Sequence, residues 1–168
     1  MTGRRSARAL LAGVLLLTLL ATGCGVRPSG VITGRSATTG PAVGAGLYLL
    51  SDGRLALVIR ETKGNIVSPE QTLDALAAGP DESERRQGLV SEVPAGLVAA
   101  SPVTATADGS GLTVTMTGAV LPLSAAAADQ IICTVAEAIA LTGGGDGFAP
   151  VTIAGPDGAR PPRSCPVK

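Results

Sequence analysis

The stretch Leu47-Tyr48-Leu49-Leu50-Ser51-Asp52-Gly53-Arg54-Leu55-Ala56-Leu57-Val58-Ile59 holds two apolar runs parted by four turn-forming residues. Asp-Gly between apolar runs is a strong hairpin signal, because both central positions of the favoured two-residue turn need a positive φ that these residues tolerate. Two antiparallel strands are therefore predicted, Leu47 to Leu50 and Leu55 to Ile59. Downstream, Ser68-Pro69-Glu70-Gln71 reads as a helix start, with a capping hydroxyl, a proline where no amide bond is lost, and a Gln placed to close a capping box. Leu73, Leu76 and Ala77 supply one apolar face. Gly79 and Pro80 end the helix near Ala78, and Asp81 to Gln87 reads as one exposed, charged helical turn.

Val103, Ala105 and Ala107 alternate with Thr104 and Thr106, and Leu112, Val114 and Met116 alternate with Thr113, Thr115 and Thr117. This predicts a second hairpin with one apolar and one threonine face. The longest helical pattern runs from Ala125 to Leu141, with Ala128, Ile131, Ile132, Val135, Ala138 and Ile139 on one side and Asp129, Gln130, Thr134 and Glu137 on the other. After the glycine-rich run Thr142 to Gly147, Val151 to Ile153 reads as a last short strand. The fold class that follows is α+β, a single domain in which a mainly antiparallel sheet is packed on one face by two helices, in the order β-β-α-β-β-α-β.

Upstream of this pattern, Arg4, Arg5 and Arg8 precede an apolar run from Ala9 to Ala21, which ends in Thr22, Gly23 and Cys24. A basic start, an apolar middle and a small-residue exit are the parts of an export signal. At about 1.5 Å per residue the apolar run is roughly 20 Å long as a helix, short of the ~30 Å that a permanent span must cross. The cysteine at its end resembles the lipobox of bacterial lipoproteins. That resemblance implies cleavage after Gly23 and a diacylglyceryl thioether on Cys24, often with a third acyl chain on the new amino terminus. Two or more chains hold a protein stably on a membrane where one does not. A plain secretory signal with an incidental cysteine is the competing reading. The expected organisation is a signal peptide at 1–23, a flexible Gly, Ser, Thr and Pro tether at 24–43, a domain at 44–158 and a tail at 159–168.

Composition narrows the function. Of 13 basic residues, the three arginines leave with the signal, so 10 face 13 acidic residues and the mature charge is −3. That charge does not recruit nucleic acid. One Tyr, one Phe and no Trp leave few platforms for stacking bases or sugars, and the absence of His removes the commonest general base and metal ligand. The abundance of Ala, Gly and Arg also resembles the output of a GC-rich, actinobacterial genome. Glu82, Glu84 and Glu92 suggest paired carboxylates, but the first two sit beside Arg85 and Arg86, which favours surface ion pairing. Gly143 to Gly147 resembles a phosphate loop, yet it follows a helix and precedes a strand, the wrong order for anion binding at a helix start.

Two cysteines remain beside Cys24. At 100° per residue Cys133 falls among Asp129, Gln130 and Glu137, on the polar side of its helix rather than in the core. Cys165 lies in a proline-rich tail. An exported chain with an even pair left favours a Cys133–Cys165 disulfide that staples the tail across the helix; two free thiols are the alternative.

Tyr48, Leu73, Leu76, Gly79 and Pro80, followed by Glu84, Gly88, Leu89, Ser91, Val93, Pro94 and Gly96, are similar to the GerMN domain of sporulation and germination proteins and of many actinobacterial lipoproteins. The second hairpin, the helix carrying Gln130 and Cys133, and the strand Val151 to Ile153 follow in the same order. The resemblance implies an α+β fold and an accessory envelope role, and brings no catalytic residues. The expectation is a non-enzymatic lipoprotein on the extracytoplasmic face of the cell membrane, whose domain is an interaction module for a protein partner. No cofactor or metal is expected. The threonine face and the turn Asp81 to Arg86 are the candidate contact surfaces. A carrier of a small apolar ligand or lipid is the alternative, and a hydrolase working with carboxylates alone is a third reading.

Overall fold

The computed structural model describes residues 44–62, 67–107, 109–143 and 148–167. The signal, Cys24 and the tether lie outside them, as do residues 144–147 of the glycine run. Strand β1 (Gly44–Ser51) and strand β2 (Arg54–Glu61) form the predicted hairpin in unbroken one-to-one register. Asp52 and Gly53 have φ of 50° and 74°, the pair of positive values that such a turn requires. Helix α1 (Pro69–Ala77) begins with the predicted capping box: Ser68 Oγ accepts from the Gln71 N–H at 3.2 Å, and Gln71 Oε1 accepts from the Ser68 N–H at 3.1 Å. Gly79, at φ 78°, follows its end. A one-turn helix α2 (Glu82–Arg86) and strand β3 (Leu89–Val90) come next, and β3 pairs with the end of β1.

Strands β4 (Thr104–Ala105) and β5 (Leu112–Thr115) form the second hairpin, shorter than its alternating pattern suggests. Helix α3 (Ala125–Leu141) then carries the chain back to strand β6 (Val151–Gly155), which pairs parallel to β5, and strand β7 (Gly158–Ala159) folds onto β6. The class is α+β, with two sheets rather than one, β2-β1-β3 and β4-β5-β6-β7.

That division overturns the expected orientation of α3. Its residues Ala127, Ala128, Gln130 to Ala136 and Ala138 are buried on every side, because the helix packs against β1 and α1 and also against β6. Over that length only Asp129 and Glu137 keep partial exposure, so the helix lacks the broad solvent face of an amphipathic helix. Gln130, Thr134 and Cys133, expected on the outer face, are each 0% exposed. The tail supplies part of the cover: Val151 and Arg163 exchange backbone bonds of 2.9 and 3.1 Å, and Cys133 is joined to Cys165 as a disulfide. Arg163 Nη2 also lies 3.0 Å from Asp129 Oδ1, an ionic contact without hydrogen-bond geometry.

Candidate functional site

The two outer flanks of the long β1–β2 hairpin organise the surface of the first sheet. The two-residue turn makes Ser51 and Arg54 a hydrogen-bonded pair, so the bonded pairs alternate as Leu49 with Ala56, Leu47 with Val58 and Ala45 with Arg60. The intervening residues point their N–H and C=O groups away from the partner strand. On β1 these include Tyr48, and α3 meets it: the Tyr48 N–H donates to Thr134 Oγ1 at 3.0 Å, and Gln130 Nε2 donates to the Tyr48 carbonyl at 2.9 Å. Gln130 Oε1 accepts in turn from the Glu92 N–H at 2.9 Å. Two helical side chains one turn apart thus act as a partner strand for β1. Helix α3 runs so close that a Cβ at Gly46 would stand 2.8 Å from Glu137 Cγ. Burial, with the Glu137 carboxylate nearby, holds the Tyr48 phenol above its ordinary value.

The outer edge of β2 differs. Its outward groups belong to Leu55, Leu57, Ile59 and Glu61, and among the described residues no strand pairs with them. Leu57 and Ile59 are 45% and 42% exposed. Beside this edge runs an open groove of about 650 Å³, lined by Leu57 to Glu61 of β2 and, across from them, Asp81, Ser83, Glu84, Gln87 and Leu89.

Strand parity turns Arg60 inward with Ala56 and Val58, and the wall of the groove is built on it. Arg60 Nε and Nη2 donate to the two Glu84 carboxylate oxygens at 2.9 and 2.7 Å, and the same guanidinium bonds the Ala75 and Gly79 carbonyls at 3.1 and 2.8 Å. Glu84 Oε2 also accepts from the Asp81 N–H at 2.7 Å, and Asp81 Oδ1 accepts from the Glu84 N–H at 2.8 Å. One bidentate pair therefore ties β2 to the end of α1 and the start of α2. The Arg60 bonds hold the Glu84 carboxyl below its usual range although burial opposes the shift. The Glu84 N–H and the Ser83 hydroxyl do the same for Asp81. Glu84 is 4% exposed and paired with Arg60, which corrects the expectation of surface pairing with Arg85 and Arg86.

A second depression, about 390 Å³, is lined by Glu92, Pro94, Ala119, Pro122, Leu123 and Ser124. The Ser124 hydroxyl donates to the Glu92 carboxylate, and its oxygen accepts from the Ala127 N–H at 3.0 Å as the cap of α3. Beneath it Asp157 accepts from the Val120 and Leu121 N–H groups at 2.8 and 2.9 Å, and Arg160 Nη1 donates to the carbonyls of Val120, Leu121 and Leu123. These side chains bracket the loop that leads into α3. Glu84 and Glu92 serve separate networks.

Of the two expected contact surfaces, the turn Asp81 to Arg86 contributes Asp81, Ser83 and Glu84 to the wall of an open groove, whereas on the threonine face Thr106, Thr113 and Thr115 are half-buried and Thr104 and Thr117 are exposed. Arg60, Gln130 and Thr134 were not singled out by sequence pattern as structural bonds. The signals for them are an inward charge near the end of an apolar strand and two polar residues one turn apart in a helix. Among the described residues no group of three or more Cys, Asp and Glu is placed to hold a metal, and no helix is long and apolar enough to cross a membrane. No family model, curated protein or solved structure matches the chain.

Proposed function

We propose that the chain is an envelope lipoprotein of GerMN-like type, held to the extracytoplasmic face of a membrane through Cys24, whose domain binds a protein partner without catalysis. The Cys133–Cys165 disulfide carries this reading. A disulfide fits the oxidising conditions outside the cytoplasm, and this one leaves Cys24, behind an export-like leader, as the remaining thiol for a lipid. The form of the surface supports a binding module: Leu57 and Ile59 stand exposed beside an open groove with polar and charged walls, whereas a lipid carrier needs an enclosed apolar cavity.

Intact mass and peptide spectra of the full-length gene product, extracted from membranes, test the anchor. The expected amino terminus is Cys24 bearing a diacylglyceryl group. An unmodified Cys24 would sink the anchor. Counting alkylatable thiols before and after reduction of the same preparation tests the disulfide, with both Cys133 and Cys165 expected to react only after reduction.

A further inference from the structure

We infer that the outer edge of β2 accepts an extended basic peptide segment as an added strand, with the peptide lying between β2 and α2. The inference rests on the reading of the domain as an interaction module and names its surface and the chemistry of its partner.

The backbone is the first ground. Register directs the N–H and C=O groups of Leu55, Leu57, Ile59 and Glu61 outward, and among the described residues nothing pairs with them. From Leu55 to Glu61 the edge offers about 20 Å of strand at ~3.4 Å per residue. Natural sheets guard such edges with prolines, bulges, short strands or charged residues. β2 is eight residues long, contains no proline, and keeps one-to-one register along its whole length. Its inward charge, Arg60, is engaged by Glu84 and two carbonyls. An extended polypeptide is the ligand whose hydrogen bonds repeat with the spacing of these groups.

Charge is the second ground. With Arg60 neutralised by Glu84, the remaining charged groups of the groove are the carboxylates of Glu61 and Asp81. Arg85 and Arg86 of the same turn are not among its lining residues. A peptide with alternating apolar and basic residues would lay its apolar side chains beside Leu57 and Ile59 and its cations on the Arg60 side, towards Asp81, while Glu61, at the strand end on the Leu57 face, adds to the negative potential that favours them. A second copy of the chain, paired antiparallel through β2, would bring its Arg54 beside Glu61 and is the competing occupant, which protection that grows with protein concentration alone would reveal.

The test uses the isotope-labelled full chain and three heptapeptides with blocked ends: Lys-Val-Lys-Val-Lys-Val-Lys, its Glu-for-Lys counterpart, and the basic peptide N-methylated at alternate residues. The basic peptide should bind saturably and slow amide exchange at Leu57 and Ile59, and leave Ala56 and Val58, already bonded to β1, unchanged. The acidic peptide should bind about tenfold more weakly, equivalent to ~1.4 kcal/mol, and the N-methylated peptide should not bind. Leu57→Pro removes one outward N–H without touching the β1 ladder, so binding should fall while the melting temperature holds. If that variant does not fold, Glu61→Lys, at an exposed position, should shift preference towards the acidic peptide. Unchanged exchange at Leu57 and Ile59 under millimolar basic peptide would overturn the inference, as would binding that survives N-methylation or protection that grows with protein concentration alone. Peptide binding is read separately from lipid at Cys24, so either result can fail without the other.

Discussion

The two outer edges of the long β1–β2 hairpin carry the same backbone chemistry and meet opposite fates, β3 covering only the end of β1. Along β1, the outward groups of Tyr48 are bonded by Gln130 and Thr134 from a helix, fully enclosed. Along β2, the corresponding groups of Leu57 and Ile59 face an open groove. A polar side chain placed in a core is tolerated when it satisfies a backbone that would otherwise be stranded there, so the buried Gln130 and Thr134 mark an edge that the fold has closed. Among the described residues no such pair stands opposite β2, and that edge is left available.

The largest effect should come from breaking the closed edge. Gln130→Ala strands the Tyr48 carbonyl and the Glu92 N–H and leaves a cavity. At about 1–3 kcal/mol for each unsatisfied group, a loss of roughly 3–5 kcal/mol is expected from urea unfolding. Thr134→Val, near in shape, strands only the Tyr48 N–H and should cost about 1–3 kcal/mol. A loss under about 1 kcal/mol for Gln130→Ala would mean that water enters this edge and that the two edges are alike.

The other flank of α3 is held by the disulfide, and its removal comes next in size. For a sequence separation of 32 residues, loop closure gives about 3–4 kcal/mol. The Cys133→Ala, Cys165→Ala double variant should therefore melt ~10 °C or more below the parent in a thermal scan. An unchanged midpoint would show that β6 and the Arg163 contacts hold the tail by themselves.

Local features were the legible part of this fold. Asp52-Gly53 and Ser68-Pro69-Glu70-Gln71 act within a few residues, and the structure contains the hairpin and the capping box they predict. What covers an element is not local. Helical periodicity separated Asp129, Gln130, Thr134 and Glu137 from the apolar face of α3, yet nothing in that periodicity says that a strand edge waits opposite two of them. The split into two sheets was hidden for the same reason, since β5 chooses β6 as a parallel neighbour across a whole helix. Counting cysteines gave the disulfide pair, and helical periodicity misplaced Cys133 because the cover comes from a tail without a pattern of its own. The turn Asp81 to Arg86 was recognisable as a surface feature, but Glu84 was assigned to its sequence neighbours. Its partner Arg60 lies 24 positions away.

The wall of the open groove should respond to acid. Bonds from Arg60 hold the Glu84 carboxyl below its usual value despite burial, and Asp81 is lowered by the Glu84 N–H and the Ser83 hydroxyl. A carboxyl with a depressed folded value stabilises the fold fully above its unfolded pKa, near 4.3 for Glu, and the contribution is lost as pH falls through the folded value. Unfolding therefore takes up protons below about pH 5, and stability should decline from there downwards. Glu84→Gln keeps the shape but cannot charge; it should cost roughly 1–3 kcal/mol at pH 7 and flatten the acid decline. Equal acid slopes for parent and variant would remove Glu84 from the titration and leave Asp81, Glu70 and Asp157, also lowered, as its source.

The smallest effect belongs to the open edge itself, and its smallness is the point. Ile59 is 42% exposed and stands opposite Gly46, so no cross-strand side-chain pair is lost when it is shortened. Threonine keeps the β-branched shape that a strand favours. Ile59→Thr should change unfolding free energy by only about 0.5 kcal/mol, as a surface substitution does. A residue held in place for folding would cost several times more. If Ile59→Thr costs above ~1.5 kcal/mol, the outer face of β2 belongs to the core and the contrast between the edges fails. If the cost is small, this apolar side chain contributes little to the fold, and the contrast between the closed and the open flank stands.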